Sequence, residues 1–258
     1  MAATKTRTLA VANQKGGVAK TTTVASLGAA LAELGSRVLL VDLDPQACLT
    51  FSLGIDPEDL ELSVHHVLTK GLDPREVIIE TEDGVDLLPA TIELARAEAD
   101  LLTRTGREHV VKAALEDLSY DWVLLDCPPS LGVLTVAALT AARGVLIPLQ
   151  CETLSHRGVG QLLDTVHDVR RFTNRRLEVW GVLPTLYDGR TNHARAVLEN
   201  ISDTYHLDVL EPPIPKSIRF AEAPAAGRSI LATTRHHRGA DAYRQVAASL
   251  TRRGQHRV

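Results

Sequence analysis

The sequence predicts an α/β fold, a doubly wound and mostly parallel sheet with helices on both faces. Three observations carry this expectation. Strand-length apolar runs such as VLLV at 38–41 are continuous rather than alternating, as strands covered on both faces require. Such runs alternate with amphipathic helical stretches from one end of the chain to the other. The length, 258 residues, suits one large α/β unit better than two ordinary domains. No repeat, low-complexity tract or linker breaks the alternation, so residues 1–258 are expected to form a single domain.

In order, Arg7 to Asn13 reads as a buried strand, and Lys20 to Leu34 as an Ala- and Leu-rich helix closed by Gly35. Arg37 to Asp42 is the second strand. Val85 to Pro89, Trp122 to Asp126, Gly144 to Leu149 and Val179 to Thr185 supply four more, with a short strand near Leu207 to Leu210. Helical stretches are expected near 92–118, 131–142, 155–173 and 191–205, and Ala242, Tyr243, Val246, Ala247 and Leu250 recur at helical spacing. The Asp, Pro and Gly content of 51–80 predicts short helices joined by turns, an elaboration over the active face.

Composition excludes several classes. With 45% hydrophobic and 23% charged residues the chain is neither disordered nor fibrous, and 3% aromatics argues against base-stacking platforms. Cys48, Cys127 and Cys151 show no CxxC spacing and read as reduced thiols serving as small buried hydrophobes. The ten histidines, including the pairs His65-His66 and His236-His237, lack metal-ligand spacing. No signal peptide or membrane span is expected, which places the protein in the cytoplasm. The net charge of −4 hides an asymmetry: residues 1–167 carry 13 Lys/Arg against 23 Asp/Glu, and residues 168–258 carry 15 against 9. The last third is basic.

The chemistry centres on Asn13-Gln14-Lys15-Gly16-Gly17-Val18-Ala19-Lys20-Thr21-Thr22, a glycine-rich loop between the first strand and the first helix. There, backbone N–H groups and the positive end of the helix dipole converge on one spot, as a polyphosphate requires. Lys20 is expected to neutralise the β- and γ-phosphates of ATP, and the Thr21 hydroxyl to sit on Mg²⁺. The loop departs from GxxxxGK[ST], with Gln14 at the first glycine and Ala19 at the last. A carboxylate at Asp42 or Asp44 could orient an attacking water or hold a metal-bound one. Asp126 closes the apolar strand WVLLD, a position for outer-sphere Mg²⁺ contact, and Pro128 and Pro129 stiffen the loop that follows.

Lys15, five residues before Lys20 in KGGxxKT, resembles the deviant Walker A motif of the ParA/MinD/Soj ATPases. VDLDPQ at 41–46, LLDCPPS at 124–130, YDGRTN at 187–192 and IPKSIRFAEAPAAGRSI at 214–230 stand in the order and spacing of ParA/Soj chromosome- or plasmid-partition ATPases. The resemblance implies a P-loop ATPase fold and slow ATP hydrolysis in which Lys15 reaches the nucleotide of a second subunit. By the same resemblance Asp44 positions water, Asp42 supports the magnesium site, and the segment around Pro213, Pro215 and Lys216 wraps the adenine. It further implies an ATP-dependent homodimer that binds double-stranded DNA non-specifically through Arg190 and Arg219, with a ParB-like adaptor stimulating hydrolysis and the nucleoid as its place of work. Arg228, in the basic third, joins this candidate DNA set.

Among alternatives, a MinD-like ATPase needs an amphipathic membrane-binding tail, and TRRGQHRV at 251–258 holds one apolar residue. A nitrogenase-reductase-like protein needs a second cysteine beside Cys127, which the spacing does not provide. A metabolic P-loop ligase would need a pocket for a small acceptor.

Overall fold

Alternate residues of a strand point to opposite faces, so a strand apolar throughout must feed two cores. The computed structural model, which describes residues 6–152, 155–190 and 192–253, shows this division. Leu39, Val41, Val123 and Leu125 enter one core; Val38, Leu40, Trp122 and Leu124 enter the other.

The strands are β1 (Arg7–Val11), β2 (Val38–Asp42), β3 (Ile79–Glu80), β4 (Asp86–Leu88), β5 (Trp122–Asp126), β6 (Gly144–Gln150) and β7 (Glu178–Thr185). They form one sheet in the order β3-β4-β2-β5-β1-β6-β7, parallel except for β3 against β4. The helices are α1 (Lys20–Glu33), α2 (Cys48–Ser52), α3 (Val64–Lys70), α4 (Leu94–Leu102), α5 (Val110–Leu115), α6 (Val133–Ala141), α7 (Ser155–Phe172), α8 (Asn192–Tyr205), α9 (Arg219–Glu222), α10 (Ile230–Thr233) and α11 (Arg238–Arg253). Residues of α3 to α8 build the core on one face, and residues of α1, α2, α10 and α11 build the core on the other. Buried Tyr243 of α11 ties that second layer together, its hydroxyl 3.0 Å from Thr23 Oγ1 of α1.

The α/β, doubly wound reading holds, with four local differences. The stretch 92–118 is not one helix, because at Gly106 (φ 72°) the chain turns left-handed and splits it into α4, a 3₁₀ turn at Arg107–His109 and α5. The segment 51–80 contains the expected short helices and also β3, which runs back along β4 through a turn at 81–84. Residues 207–210 do not make a strand; Val209 forms one parallel bridge to Val182. Cys48 is exposed rather than a buried hydrophobe, because α2 turns it outward, while Cys127 is buried. No helix among the described residues is long and apolar enough to cross a membrane, and the tail from 254 lies outside them.

Candidate functional site

Parallel register places the site. Val11 pairs with Asp126, and Asp126 pairs in turn with Asp42, so the carboxyl ends of β1, β5 and β2 finish level. The loop 12–19 leaves this edge from the sheet's interior, where open α/β sheets bind ligands.

The loop is held at several points. Asn13 Nδ2 donates to Pro148 O at 2.8 Å, while its Oδ1 accepts from Lys15 N at 3.0 Å. Thr185 Oγ1 donates to Val18 O at 2.9 Å. Val18 is buried and Gly16 and Gly17 are exposed; a β-carbon on either glycine would meet nothing within 4 Å, so the loop leaves a cradle. Ala19 takes the left-handed conformation (φ 64°, ψ 36°) where the loop becomes α1. The departure from glycine at this position therefore falls where glycine is least strained.

The two lysines diverge. Lys20 is buried and turned inward, its Nζ 3.3 Å from Lys15 O. Burial lowers its pKa, against the nearby carboxylates of Asp126 and Asp44, which favour the ammonium. Lys15 is part-exposed at the rim, where its Nζ pairs with Glu152. Thr21 and Thr22 occupy the first turn of α1, half-buried.

Asp42 and Asp126 are both fully buried and opposite each other. Asp42 accepts from Thr50 N (2.9 Å), Thr50 Oγ1 (2.8 Å) and Asp44 N (3.1 Å). Burial nonetheless pushes its carboxyl up to about 6. Asp126 has no hydrogen-bond partner of good geometry on either oxygen among the described residues. Its proton affinity is raised by burial first and by Asp42 next, with the Thr21 hydroxyl and Lys20 pulling the other way. A buried carboxylate left without donors wants a cation. Together with the Thr21 hydroxyl and an open phosphate cradle, this donor set fits magnesium, which keeps waters and phosphates as ligands and needs few from protein. No group of three His, Cys, Asp or Glu among the described residues is arranged to hold a metal ion. Asp44 is half-buried beyond β2, its Oδ1 accepting from Gln46 N at 3.0 Å.

The chain as a whole is similar to known proteins. A family model described as an AAA domain matches residues 6–179. The sporulation initiation inhibitor protein Soj of Bacillus subtilis is 43% identical over 249 residues, covering 95% of this chain and 98% of the relative. The chromosome-partitioning ATPase Soj of Thermus thermophilus is 45% identical, covering 97% and 98%. The chain belongs to the ParA/Soj family. Among solved structures, cobyrinic acid a,c-diamide synthase from Mycobacterium smegmatis with bound ADP and magnesium superposes with a TM-score of 0.88 at 56% identity, covering 97% of this chain and 96% of that one. This ParA/Soj chain is thus a P-loop ATPase that uses ATP and Mg²⁺.

The remaining candidates fall in two places, some beside β7 and one at the β3–β4 turn on the opposite edge of the sheet. Residues 213–216 run beside the end of β7: Ile214 N donates to Pro184 O (2.8 Å), Tyr187 N to Ile214 O (2.9 Å) and Lys216 N to Tyr187 O (3.2 Å). Pro213, Pro215 and Lys216 consequently line the same cleft of about 780 Å³ as Arg190 and Arg238. Arg190 and Arg219 are exposed, Arg219 pairing with Glu222 at 2.8 Å. Arg228 is different: its Nε sits 2.9 Å from Asp83 Oδ1 and its Nη2 donates to Glu82 O at 2.8 Å. Its guanidinium clamps the 227–230 turn to the β3–β4 turn.

Proposed function

We propose that this ATPase pairs in an ATP-dependent dimer, binds double-stranded DNA without regard to sequence in that state, and is reset by hydrolysis that a ParB-like adaptor stimulates. The placement of Lys15 supports the dimer. Lys20 alone turns into the cradle, whereas Lys15 lies at the rim, beside a groove lined by Asn13, Gln14, Val18, Pro129 and Arg157. A rim cation gains a phosphate partner only when a second copy brings one, which makes nucleotide state and association one equilibrium.

In this reading Lys15, Lys20 and Asp44 are catalytic, and residues Gly16 to Thr22 hold the phosphates through backbone N–H groups and Lys20. Pro213, Pro215 and Lys216 hold the base. Thr21, Asp42 and Asp126 hold magnesium, which when bound supplies charge for the phosphoryl oxygens. Asp44, half-buried just beyond β2, orients the attacking water. The working unit is one domain, 1–258, on the nucleoid in the cytoplasm.

Arg190 and Arg219 carry the DNA role, with Lys216 and Arg238 beside Arg190, and pairing of two copies doubles the patch. Anisotropy of labelled duplexes tests this: binding should require ATP, ignore sequence, and weaken with salt by a log–log slope of about −0.9 per phosphate contact. Arg190→Glu/Arg219→Glu should weaken all duplexes alike. Unchanged binding by that variant at low salt would remove the DNA role.

The cobyrinic acid a,c-diamide synthase similarity favours a second reading, an ATP-driven amide-forming enzyme. Such an enzyme drawing ammonia from glutamine needs an activated thiolate, whereas burial raises the pKa of Cys127 and Cys151, and partial desolvation together with the Asp44, Asp42 and Asp126 carboxylates raises that of Cys48. ATP turnover that rises with cobyrinic acid and a nitrogen donor but not with DNA would establish the second reading.

A further inference from the structure

Glu98 of α4 has no place in the roles above, yet it lies at the hydrolytic edge. A β-carbon at Gly132 would stand 2.9 Å from Glu98 Oε1 and 3.5 Å from Ser130 Oγ, so the carboxylate occupies the space that a side chain at residue 132 would need. Gly132 is the N-cap of α6 and offers no side chain to cap it. It also ends the loop that begins after Asp126, whose Pro128 is buried and whose Pro129 and Ser130 are exposed at the site. Ser130 O in turn accepts from Thr135 Oγ1 at 2.5 Å, tying the loop to the first turn of α6. Glu98 is half-buried, and both burial and the charge of Asp44 raise its pKa, which puts the two carboxylates within reach of each other's field.

We propose that Glu98 is a positioning residue for hydrolysis, its carboxylate holding the Pro128–Gly132 loop against α4. Negative charge at the head of α6 is favourable, and the glycine at 132 is what allows the carboxylate to approach that closely. Pulling it away lets the loop and the groups beside the γ-phosphate drift relative to Asp44, while the cradle of residues 15–22, anchored to β6 and β7 by Asn13 and Thr185, stays in place. Misplacement of this kind costs turnover rather than affinity. The inference rests on the reading of Asp44 as the water-positioning group.

The test uses full-length chain with Mg·ATP, measuring kcat, KM, ADP affinity by calorimetry and melting temperature for Asp44→Ala, Glu98→Ala, Glu98→Gln, Gly132→Ala and the double Glu98→Ala/Gly132→Ala. Glu98→Ala should lower kcat by roughly ten- to hundredfold with KM and ADP affinity within about twofold. Glu98→Gln, which keeps the shape, should recover part of the loss. The methyl of Gly132→Ala displaces the carboxylate and should reproduce the loss. The double variant should be no slower than either single one, because both remove the same contact. Glu98→Ala turning over within twofold of wild type while Asp44→Ala is slow would overturn the proposal. So would a fall in kcat matched by equal losses of affinity and melting temperature, or strictly additive losses in the double variant. If Asp44→Ala itself turns over normally, the reading of Asp44 fails, and with it this inference.

Discussion

Replacing Ala19 by glycine isolates the cost of the loop's departure from the usual phosphate-loop pattern. Ala19 sits at φ 64° with both flanks tied: Thr185 Oγ1 holds Val18 O at 2.9 Å, and Thr23 N donates to Ala19 O at 2.9 Å. The residue therefore cannot relax out of the left-handed region without breaking a hydrogen bond. For an L-residue that conformation costs roughly 1–2 kcal/mol. Glycine removes the strain but gives back roughly 0.5–1 kcal/mol through the greater freedom of the unfolded chain. The net expectation is a gain of about 0–1.5 kcal/mol, seen by calorimetry as a melting temperature up to about 3–6 °C higher for a chain of this size. Ala19→Val, with a β-branched side chain at positive φ, should shift the other way. Repeating the comparison in saturating Mg·ADP separates strain from obstruction, since a gap that widens with nucleotide means that the methyl also hinders the phosphates. A lower melting temperature for Ala19→Gly would refute the reasoning, because only the entropic term would then be acting.

Two further predictions concern charges. Arg228→Ala should destabilise the fold by about 1–3 kcal/mol in urea titration, because it strips a partner from Asp83, whose side chain is only 1% exposed; DNA affinity should not change, and a DNA defect without a stability defect would contradict the clamp. Asp42, pushed up to about 6 by burial, binds its proton more tightly folded than unfolded, so nucleotide-free stability should fall as pH rises from about 4 through about 6. Asp42→Asn should flatten that fall relative to wild type, and identical pH profiles for the two would contradict the assignment.

What was legible in the sequence follows from how far apart the interacting residues are. The sheet and the phosphate loop are written in contiguous apolar runs and one ten-residue segment, and the level ends of β2 and β5 follow from two strands that each close on aspartate. The β3–β4 hairpin was harder, since β3 has two residues; the Asp83-Gly84 pair between IIE and VDLL is the one local signal for it. The break in 92–118 also has a local cause, Gly106 in the left-handed region, that helical periodicity on either side conceals. Arg228 and Asp83 lie 145 residues apart, and no pattern near Arg228 distinguishes a clamp from a free surface cation. The approach of Glu98 to Gly132 is also non-local, bringing α4 to the head of α6 on one face of the sheet.

The central claim, that ATP and association share one equilibrium through Lys15, is tested most directly by light scattering on Asp44→Ala, which should hold the ATP state. The account predicts twice the chain's mass in Mg·ATP, the mass of one chain in Mg·ADP, and the mass of one chain in Mg·ATP when Lys15→Gln is added, with ATP affinity retained. One mass in all three conditions, or a dimer indifferent to Lys15, would contradict it.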